Sequence, residues 1–209
     1  MADPSNAIYL NSYFPHQLVK ILRKTGGKLI HISTDCVFSG DKGVYTENDF
    51  RDADDTYGRS KALGEVKNDK DLTLRTSIIG PEIKETGEGL FHWFMKQKKE
   101  INGYNNVFWG GVTTLELARC IEIAIENELT GLYHVTNNEK ISKYELLQLI
   151  NKYFRANQIV IAHDSRKLSN KSLVSIYPHD IFNVKSYRLM IKELREHIAL
   201  NNQLYQQYL

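Results

Sequence analysis

The feature that most constrains the fold of this chain is an alternation between short apolar segments and longer amphipathic ones. The segments KLIHIS (28–33) and LTLRTSIIG (72–80) are rich in apolar and β-branched residues, which is typical of buried strands. Other segments repeat apolar residues at helical spacing, most regularly TTLELARCIEIAIEN (113–127). Because successive parallel strands need a helical crossover, the alternation predicts an α/β fold with a mostly parallel sheet.

The ends of the predicted helices are marked by polar caps. Thr113 or Thr114 is expected to cap the helix just described. Ser142, with Glu145 three residues further on, is expected to cap a helix through SKYELLQLINKYF. The polar tail NNQLYQQYL (201–209) follows the last predicted helix and is expected to fray.

The composition is that of a globular protein. Of the 209 residues, 42% are hydrophobic and 25% are charged, and the formal net charge is +2. No strong field therefore indicates nucleic acid or a membrane surface as a partner. Cys36 and Cys120 are the only cysteines, too few for a disulfide framework or a metal site. Since no signal segment occurs and no apolar run approaches the ~20 residues of a membrane span, a cytoplasmic location is expected.

The candidate chemistry lies in the stretch from His31 to Lys61. Tyr57 and Lys61 stand four residues apart in a predicted helix, so the phenol and the ammonium share one face. The cation is expected to lower the pKa of Tyr57, which would then exchange a proton with an alcohol or carbonyl. The hydroxyl of Ser33 or Thr34, at the carboxyl end of a parallel strand, would bond the same substrate oxygen.

A simpler interpretation of each feature stands beside this one. A Tyr and a Lys four residues apart occur in many helices, where a half-buried ring lies beside a snorkelling lysine. A Ser-Thr pair more often caps a turn. The order of the motifs favours the catalytic interpretation, because S-T-D-x-V-F-x-G, Y-x-E, Y-G-x-S-K-x-x-x-E and L-R-x-S-x-x-G-P follow one another along the chain.

These motifs resemble the extended short-chain dehydrogenase/reductase superfamily, and within it the dTDP-4-dehydrorhamnose reductase-like group of sugar-nucleotide reductases. The similarity is carried by ISTDCVFSG (32–40), VYTEND (44–49), TYGRSKALGE (56–65) and LRTSIIGP (74–81). The segments GVTTLELAR and GLYHVTN follow in the same order. The resemblance implies a doubly wound, mostly parallel Rossmann-like sheet with a smaller C-terminal α/β substrate lobe.

The resemblance also implies a division of the chain and a reaction. Residues 1–85 would form a partial dinucleotide-binding and catalytic domain. Residues 86–209 would form a sugar-nucleotide-binding lobe interleaved with the end of the sheet. The implied reaction is the NAD(P)H-dependent reduction of a nucleoside-diphosphate-linked 4-keto-6-deoxyhexose, in the synthesis of nucleotide sugars and surface polysaccharides.

The implied roles follow the family motifs. Tyr57 would protonate the sugar oxygen, Lys61 would hold the nicotinamide ribose, and Thr34 would hydrogen-bond the substrate. Further cofactor contacts would be Ser33, Thr76, Ser77 and Ile78, and further substrate contacts would be Asp35, Cys36, Trp109 and Thr113. Glu65 and Arg75 are expected to be structural, and no metal is implied.

The N-terminal segment departs from the family pattern. Family members begin with a strand, a G-x-x-G-x-x-G turn that binds the cofactor pyrophosphate, and a helix. No such turn occurs in this sequence, so we expect the chain to start inside the cofactor half and to expose an apolar sheet edge at KLIHIS. A truncated product, a complementing N-terminal segment supplied separately, and an edge covered by a homodimer or by the N-terminal helix are all open.

Two smaller departures leave the substrate and the function open. Cys36 stands where rhamnose-forming reductases often have Tyr, and Ile78 where they often have Trp. The main alternative function is a non-catalytic homologue that acts as a binding or regulatory subunit with little cofactor affinity. Epimerase or dehydratase chemistry is a third option. A dehydratase is expected to carry consecutive acidic residues after the Thr, whereas here Asp35 is followed by Cys36.

Overall fold

The core of the fold is a sheet of three parallel strands. The structure, a computed structural model, describes residues 3–84, 86–178 and 181–208. The strands are β1 Ile30–Thr34, β2 Leu72–Thr76, β3 Ile78–Ile79, β4 Ile101–Tyr104, β5 Val107–Trp109, β6 Val112–Thr113, β7 Gly131–His134, β8 Ile141–Ser142, β9 Ile161–Asp164 and β10 Ser169–Asn170. The helices are α1 Pro4–Ile8, α2 Phe14–Thr25, α3 Thr56–Gly64, α4 Leu90–Met95, α5 Thr114–Glu126, α6 Lys143–Phe154 and α7 Tyr187–Leu200.

The strands pair mostly in parallel. The central sheet has the order β1-β2-β7, and Thr34 lies opposite Thr76, so β1 and β2 end at the same level. Smaller sheets have the orders β10-β5-β8, β3-β6 and β4-β9. Among the described strands, only β5 and β8 pair antiparallel. The predicted α/β fold with a mostly parallel sheet is confirmed.

A single large hydrophobic cluster holds β2 against the helices of the second half. Leu72 and Leu74 lie fully buried in it, together with the apolar faces of α4 to α7. The strand β7, which comes from the second expected domain, completes the central sheet beside β2. The expected boundary residue Glu85 lies outside the described residues, and the division of the chain there stays a prediction.

The N-terminal helical segment packs against α3. A π-helical turn at Tyr9–Tyr13 joins α1 to α2. In this turn the Ser12 hydroxyl donates to the Ser60 carbonyl over 2.8 Å, and the Asn11 amide donates to the Ser60 hydroxyl over 3.1 Å. The approach is close at Gly64, because a methyl group there would overlap the Asn11 carbonyl. No helix in the described parts of the chain is both long and apolar enough to cross a bilayer.

Some expectations about local structure are wrong. The tail does not fray throughout, because Tyr208 is buried and its hydroxyl lies 2.6 Å from the His92 Nδ1. The Glu82 amide also donates to that hydroxyl. The predicted strand at 72–80 is two strands separated at Ser77. The short strands β4, β5, β6, β8 and β10 were not anticipated, because two to four residues are too few to show a periodic pattern.

Candidate active site

A cavity of about 390 Å³ lies at the carboxyl ends of β1 and β2. It is lined by Ile32 and by every predicted site residue except Trp109 and Thr113. Residues that are far apart in the sequence meet there because β1 and β2 run parallel and end together. This is the crevice in which open α/β sheets bind ligands.

Thr34 is the last residue of β1 and organises the chain that leaves the strand. Its hydroxyl oxygen accepts a hydrogen bond from the Cys36 amide over 3.1 Å and donates to the Asp35 carboxyl over 3.1 Å. The side chain therefore caps the 3₁₀ turn at Asp35–Val37, as the simpler interpretation expected. Thr34 lines the cavity, and a hydrogen bond to a substrate carbonyl would require its hydroxyl proton to turn away from Asp35.

The helix α3 carries Tyr57 to the cavity. The side chain of Asp55 caps the helix by accepting a 2.9 Å hydrogen bond from the Gly58 amide. Gly58 faces the turn after β1, where a methyl group would overlap the Cys36 carbonyl and the Ala53 side chain. This close approach, which only glycine allows, brings Tyr57 beside Thr34 and leaves the Tyr57 side chain 49% exposed.

The electrostatics of the Tyr–Lys pair differ from the expectation. Burial raises the pKa of Tyr57, and nearby Cys36 and Asp35 raise it further, while a hydrogen bond with Thr34 opposes them. The Lys61 ammonium donates a 2.8 Å hydrogen bond to the Ile32 carbonyl and is not among the main causes that shift the Tyr57 pKa. The expected lowering of the Tyr57 pKa is therefore wrong for this state, and the phenol is protonated at neutral pH.

The predicted cofactor contacts fall into two groups. Ser33 and Thr76 line the cavity, but their hydroxyl groups already donate hydrogen bonds to other groups of the protein. The Ser33 hydroxyl donates to Glu65 over 2.6 Å, and the Thr76 hydroxyl donates to the Val135 carbonyl over 2.8 Å. Their side chains have no donor left for a cofactor. Ser77 is half-buried and Ile78 is 46% exposed, so these two present side chains to the cavity.

Asp35 and Cys36 are neighbours in the cavity lining, and the pKa values of both side chains are raised. Burial is the main cause that raises the pKa of the Asp35 carboxyl. Burial, followed by the neighbouring Asp35, also raises the pKa of the Cys36 thiol.

Behind the cavity lies a buried ion network that the sequence did not reveal in full. Arg75 donates from Nε and Nη2 to the Glu65 carboxylate over 2.7 and 2.6 Å, as a bidentate pair. The third Arg75 nitrogen lies 2.8 Å from the His134 Nε2, and the His134 Nδ1 lies 2.9 Å from the Val174 carbonyl. The imidazole therefore donates from Nδ1 and accepts at Nε2, which fits a pKa lowered to about 4 by burial.

Trp109 and Thr113 do not line the cavity. Trp109 is 7% exposed and packs in the hydrophobic core, with its ring 5.7 Å from that of Tyr187. Thr113 caps α5 by accepting a hydrogen bond from the Glu116 amide over 3.2 Å. Its capping role was predicted, and a substrate role for either residue stays a prediction.

A second, larger cavity of about 670 Å³ lies on the N-terminal side of Tyr57. It is lined by α1, by Leu10 and Asn11 of the π-helical turn, and by residues 54–57. The sequence carried no signal for it, because its walls come from two segments that meet only in the fold. Tyr57 lines both cavities, whereas Thr34 and Lys61 line only the smaller one. No group of three or more potential metal ligands occurs among the described residues.

Comparison with known sequences places these features in a family context. Residues 2–197 match the RmlD substrate binding domain family. The chain is 30% identical over 175 residues to the spore coat polysaccharide biosynthesis protein SpsK of Bacillus subtilis (strain 168), covering 79% of this chain and 58% of that protein. It is 26% identical over 210 residues to dTDP-4-dehydrorhamnose reductase of Escherichia coli (strain K12), covering 95% and 69%.

A third relative is of a different kind. The chain is 26% identical over 159 residues to methionine adenosyltransferase 2 subunit beta of Rattus norvegicus, covering 69% of this chain and 47% of that protein. The chain thus spans about half of the length of the rat and Bacillus relatives.

Solved structures share the fold. A hypothetical dTDP-4-dehydrorhamnose reductase from Sulfolobus tokodaii matches with a TM-score of 0.69 and 27% identity, covering 82% of this chain and 64% of that one. The dTDP-4-dehydrorhamnose reductase from Bacillus anthracis str. Ames in complex with NADP matches with a TM-score of 0.75 and 23% identity, covering 90% and 71%. The expected Rossmann-like fold class is confirmed.

Proposed function

Since the chain belongs to the RmlD substrate binding domain family of extended short-chain dehydrogenase/reductase-like sugar-nucleotide reductases, we propose that it reduces a nucleoside-diphosphate-linked 4-keto-6-deoxyhexose with NAD(P)H. One observation carries this proposal. Thr34, Tyr57 and Lys61, which are separated in the sequence, line one cavity at the ends of two parallel strands.

The residues of the cavity fit the nicotinamide-ribose end of NAD(P)H, which supplies a hydride when bound. The Lys61 ammonium has three protons and uses one on the Ile32 carbonyl, so it retains donors for ribose hydroxyls. Ser77 and the exposed Ile78 offer a polar and an apolar contact for the nicotinamide ring.

Tyr57 is the proposed general acid. Its raised pKa keeps the proton on the phenol oxygen at neutral pH, ready for transfer to the substrate oxygen. The Thr34 hydroxyl would turn its proton from Asp35 to that oxygen and orient it. Asp35 and Cys36, which line the cavity, would border the sugar.

The test is turnover of the whole chain with dTDP-4-keto-6-deoxy-D-glucose, which the name of a related Streptomyces niveus reductase specifies. We expect oxidation of NADPH or NADH, and a loss of kcat of about 10²–10⁴-fold in Tyr57→Phe with an unchanged melting temperature. Tyr13→Phe, at an exposed tyrosine outside the cavity, is the matched control. Wild-type turnover in Tyr57→Phe would exclude the phenol as the acid.

A second candidate function is that of a binding subunit. It is supported by the similarity to methionine adenosyltransferase 2 subunit beta, a protein named as a subunit. Titration of the chain with NADH and NADPH, followed by fluorescence, separates the two candidates. A folded chain that binds neither cofactor and oxidises neither would favour the subunit, whereas binding with turnover would favour the reductase.

A further inference from the structure

The C-terminal segment, residues 201–208, lies beyond the part of the chain that matches the family. The match ends at residue 197, and α7 ends at Leu200. The segment includes a short 3₁₀ helix, Gln206–Tyr208, in which Tyr208 is 7% exposed and belongs to the large hydrophobic cluster. A segment of this kind stays ordered only where tertiary contacts hold it. The contacts of Tyr208 therefore show which parts of the fold the segment holds in return.

The Tyr208 hydroxyl bonds two separate points of the chain, Glu82 and His92. It accepts a hydrogen bond from the Glu82 amide over 3.1 Å and lies 2.6 Å from the His92 Nδ1. The Tyr208 ring packs against Phe91, with 5.2 Å between the ring centres. The side-chain amide of Gln207 adds a 2.6 Å hydrogen bond to the Glu82 carbonyl. The C-terminal segment thus satisfies both backbone polar groups of Glu82.

His92 depends on the same hydroxyl. Its side chain is buried, and its Nε2 has no hydrogen-bond partner among the described residues. Without the Tyr208 hydroxyl, the imidazole would keep no hydrogen bond, and the Glu82 amide would lose its acceptor. Leaving two such groups unsatisfied is unfavourable, so loss of this hydroxyl favours a local rearrangement around Glu82.

Glu82 connects two elements of the fold. Its carboxylate accepts hydrogen bonds from the Gly89 amide over 2.6 Å and from the Glu88 amide over 3.2 Å. These amides precede α4, whose N-cap residue is Gly89 and has no side chain to cap the helix. On its other side, Glu82 follows Gly80-Pro81 and the strand β3. The C-terminal segment therefore fixes the residue that joins β3 to the start of α4.

The strand β3 belongs to the lining of the candidate active-site cavity. Ser77 and Ile78 line this cavity, and the Ser77 carbonyl accepts a 2.9 Å hydrogen bond from the Val112 amide. The strand pairs with β6 over only two residues, which supplies few hydrogen bonds. Its position therefore depends on the chain that follows it. Pro81, whose ring restricts the backbone, passes a displacement of Glu82 on toward Ile78.

We propose that Tyr208 is a positioning residue, whose hydroxyl fixes Glu82 and thereby the part of the cavity lining formed by Ser77 and Ile78. The C-terminal segment acts as a strap that holds this lining in place. The assignment rests on the proposed function, in which Ser77 and Ile78 contact the nicotinamide ring, and it adds a residue that touches neither cofactor nor substrate.

The first measurement is amide hydrogen exchange, followed by NMR, in the whole chain and in Tyr208→Phe, which keeps the buried ring and removes only the hydroxyl. We expect the Glu82 amide to exchange about tenfold or more faster, because it loses its acceptor. The Val112 amide, which reports on the lining through the Ser77 carbonyl, should also exchange faster. The Val135 amide, which donates to the Arg75 carbonyl beside the central sheet, should keep its wild-type rate.

Kinetics provide the second readout. In Tyr208→Phe we expect KM for NADPH to rise about three- to tenfold while kcat changes little, because the contact of Tyr57 with Thr34 is not altered. Gln207→Ala, which removes only the exposed hydrogen bond to the Glu82 carbonyl, should shift KM in the same direction by a smaller factor. Tyr205→Phe, at a half-buried tyrosine of the same segment, is the matched control and should leave the exchange rates and KM unchanged.

The outcomes separate this assignment from the proposed reaction. Faster exchange at Glu82 and Val112 in a protein without turnover would support the control of the lining by Tyr208 and contradict the reductase. Faster exchange at Glu82 alone, with an unchanged KM, would overturn the assignment and leave the reductase standing. Equal acceleration of all amides, including Val135, would also overturn it, because Tyr208 would then contribute only to overall stability.

Discussion

Arg75 shows how a single residue stabilises the region behind the cavity that Thr34 and Tyr57 line. Its guanidinium is fully buried, where an unpaired charge would be very unfavourable. Glu65 accepts two of its hydrogen bonds, His134 accepts a third, and the Phe38 ring lies 5.0 Å from the guanidinium carbon. Because Ser33 also donates to Glu65, this network fixes the strand that ends at Thr34.

Removal of one partner of this pair should destabilise the protein strongly. Glu65→Ala leaves the Arg75 charge buried without its carboxylate, and we expect the free energy of unfolding to fall by about 3–5 kcal/mol. Urea denaturation measures the change. Glu196→Ala, which breaks an exposed pair with Lys192 on α7, is the control and should have little effect. Equal effects of the two substitutions would contradict the role of the buried network.

The raised pKa of Tyr57 predicts the pH dependence of the proposed reduction. The reaction needs a protonated phenol, and a pKa above the ordinary value of about 10 keeps it protonated throughout the neutral range. We therefore expect kcat/KM to be flat through neutral pH and to fall only on the alkaline side. The profile is measured with NADPH and the nucleotide sugar. A fall centred near neutral pH would show instead that bound cofactor depresses the phenol pKa.

At the residue scale, the sequence could indicate residues that line the cavity where their pattern is local in sequence. Tyr57 and Lys61 are four residues apart, and Thr34 follows an apolar strand, so a motif contains them. His134 was missed because its segment, GLYHVTN, looks like any strand. Its partner Arg75 is 59 residues away, and only the pairing of β2 with β7 brings the two together.

At the element scale, α3 is positioned by its two glycines. Gly58 contacts the turn after β1, and Gly64 contacts the π-helical turn before α2. In an exposed helix, replacing glycine by alanine usually stabilises by about 1 kcal/mol. In α3 the added methyl group would overlap backbone oxygens of Cys36 and Asn11.

We therefore expect Gly58→Ala to reverse the usual sign. The helix would have to move away from β1, which lowers stability and displaces Tyr57 from Thr34. Both the unfolding free energy and kcat should fall. Leu63→Ala, at a 67% exposed position of the same helix, serves as the control and should change kcat little. A more stable and fully active Gly58→Ala would show that the close approach is not required.

The accuracy of the predicted elements followed their length. The helices α5 and α6 were predicted with their caps, because more than three turns of apolar periodicity and a polar cap are visible in sequence. The capping box of Ser142 and Glu145 is present as expected. The strands β8 and β10 have two residues each and exist only because β5 lies between them. Pairing of this kind depends on tertiary contacts that no local pattern records.

At the scale of the whole molecule, the burial of two histidines makes the free energy of unfolding depend on pH in the acidic range. Burial lowers the pKa values of His31 and His134 to about 4, from an ordinary value of 6.5. In the unfolded chain both imidazoles become protonated as the pH falls below 6.5. In the folded chain they stay neutral until the pH approaches about 4. Stability is therefore fully present above pH 6.5 and is lost progressively between the two values.

This linkage can be tested by urea unfolding at several pH values in that window. We expect the unfolding free energy of the wild type to fall with pH and that of His31→Gln to fall less steeply, because glutamine takes up no proton. His163→Gln, at an exposed position, should keep the wild-type slope. The same slope in His31→Gln would show that His31 does not contribute to acid sensitivity.

The long sequence separations in this fold have a consequence for the order of folding. The strand β2 pairs with β7, whose first residue Gly131 lies opposite Leu72, and Tyr45 bridges to Leu173. During synthesis, β2 cannot pair with β7 until β7 has emerged, and Tyr45 cannot bridge to Leu173 until that residue has emerged. Closing such long loops is entropically slow. We therefore expect the cavity at the ends of β1 and β2 to be among the last parts to form, although its motifs are translated before β7.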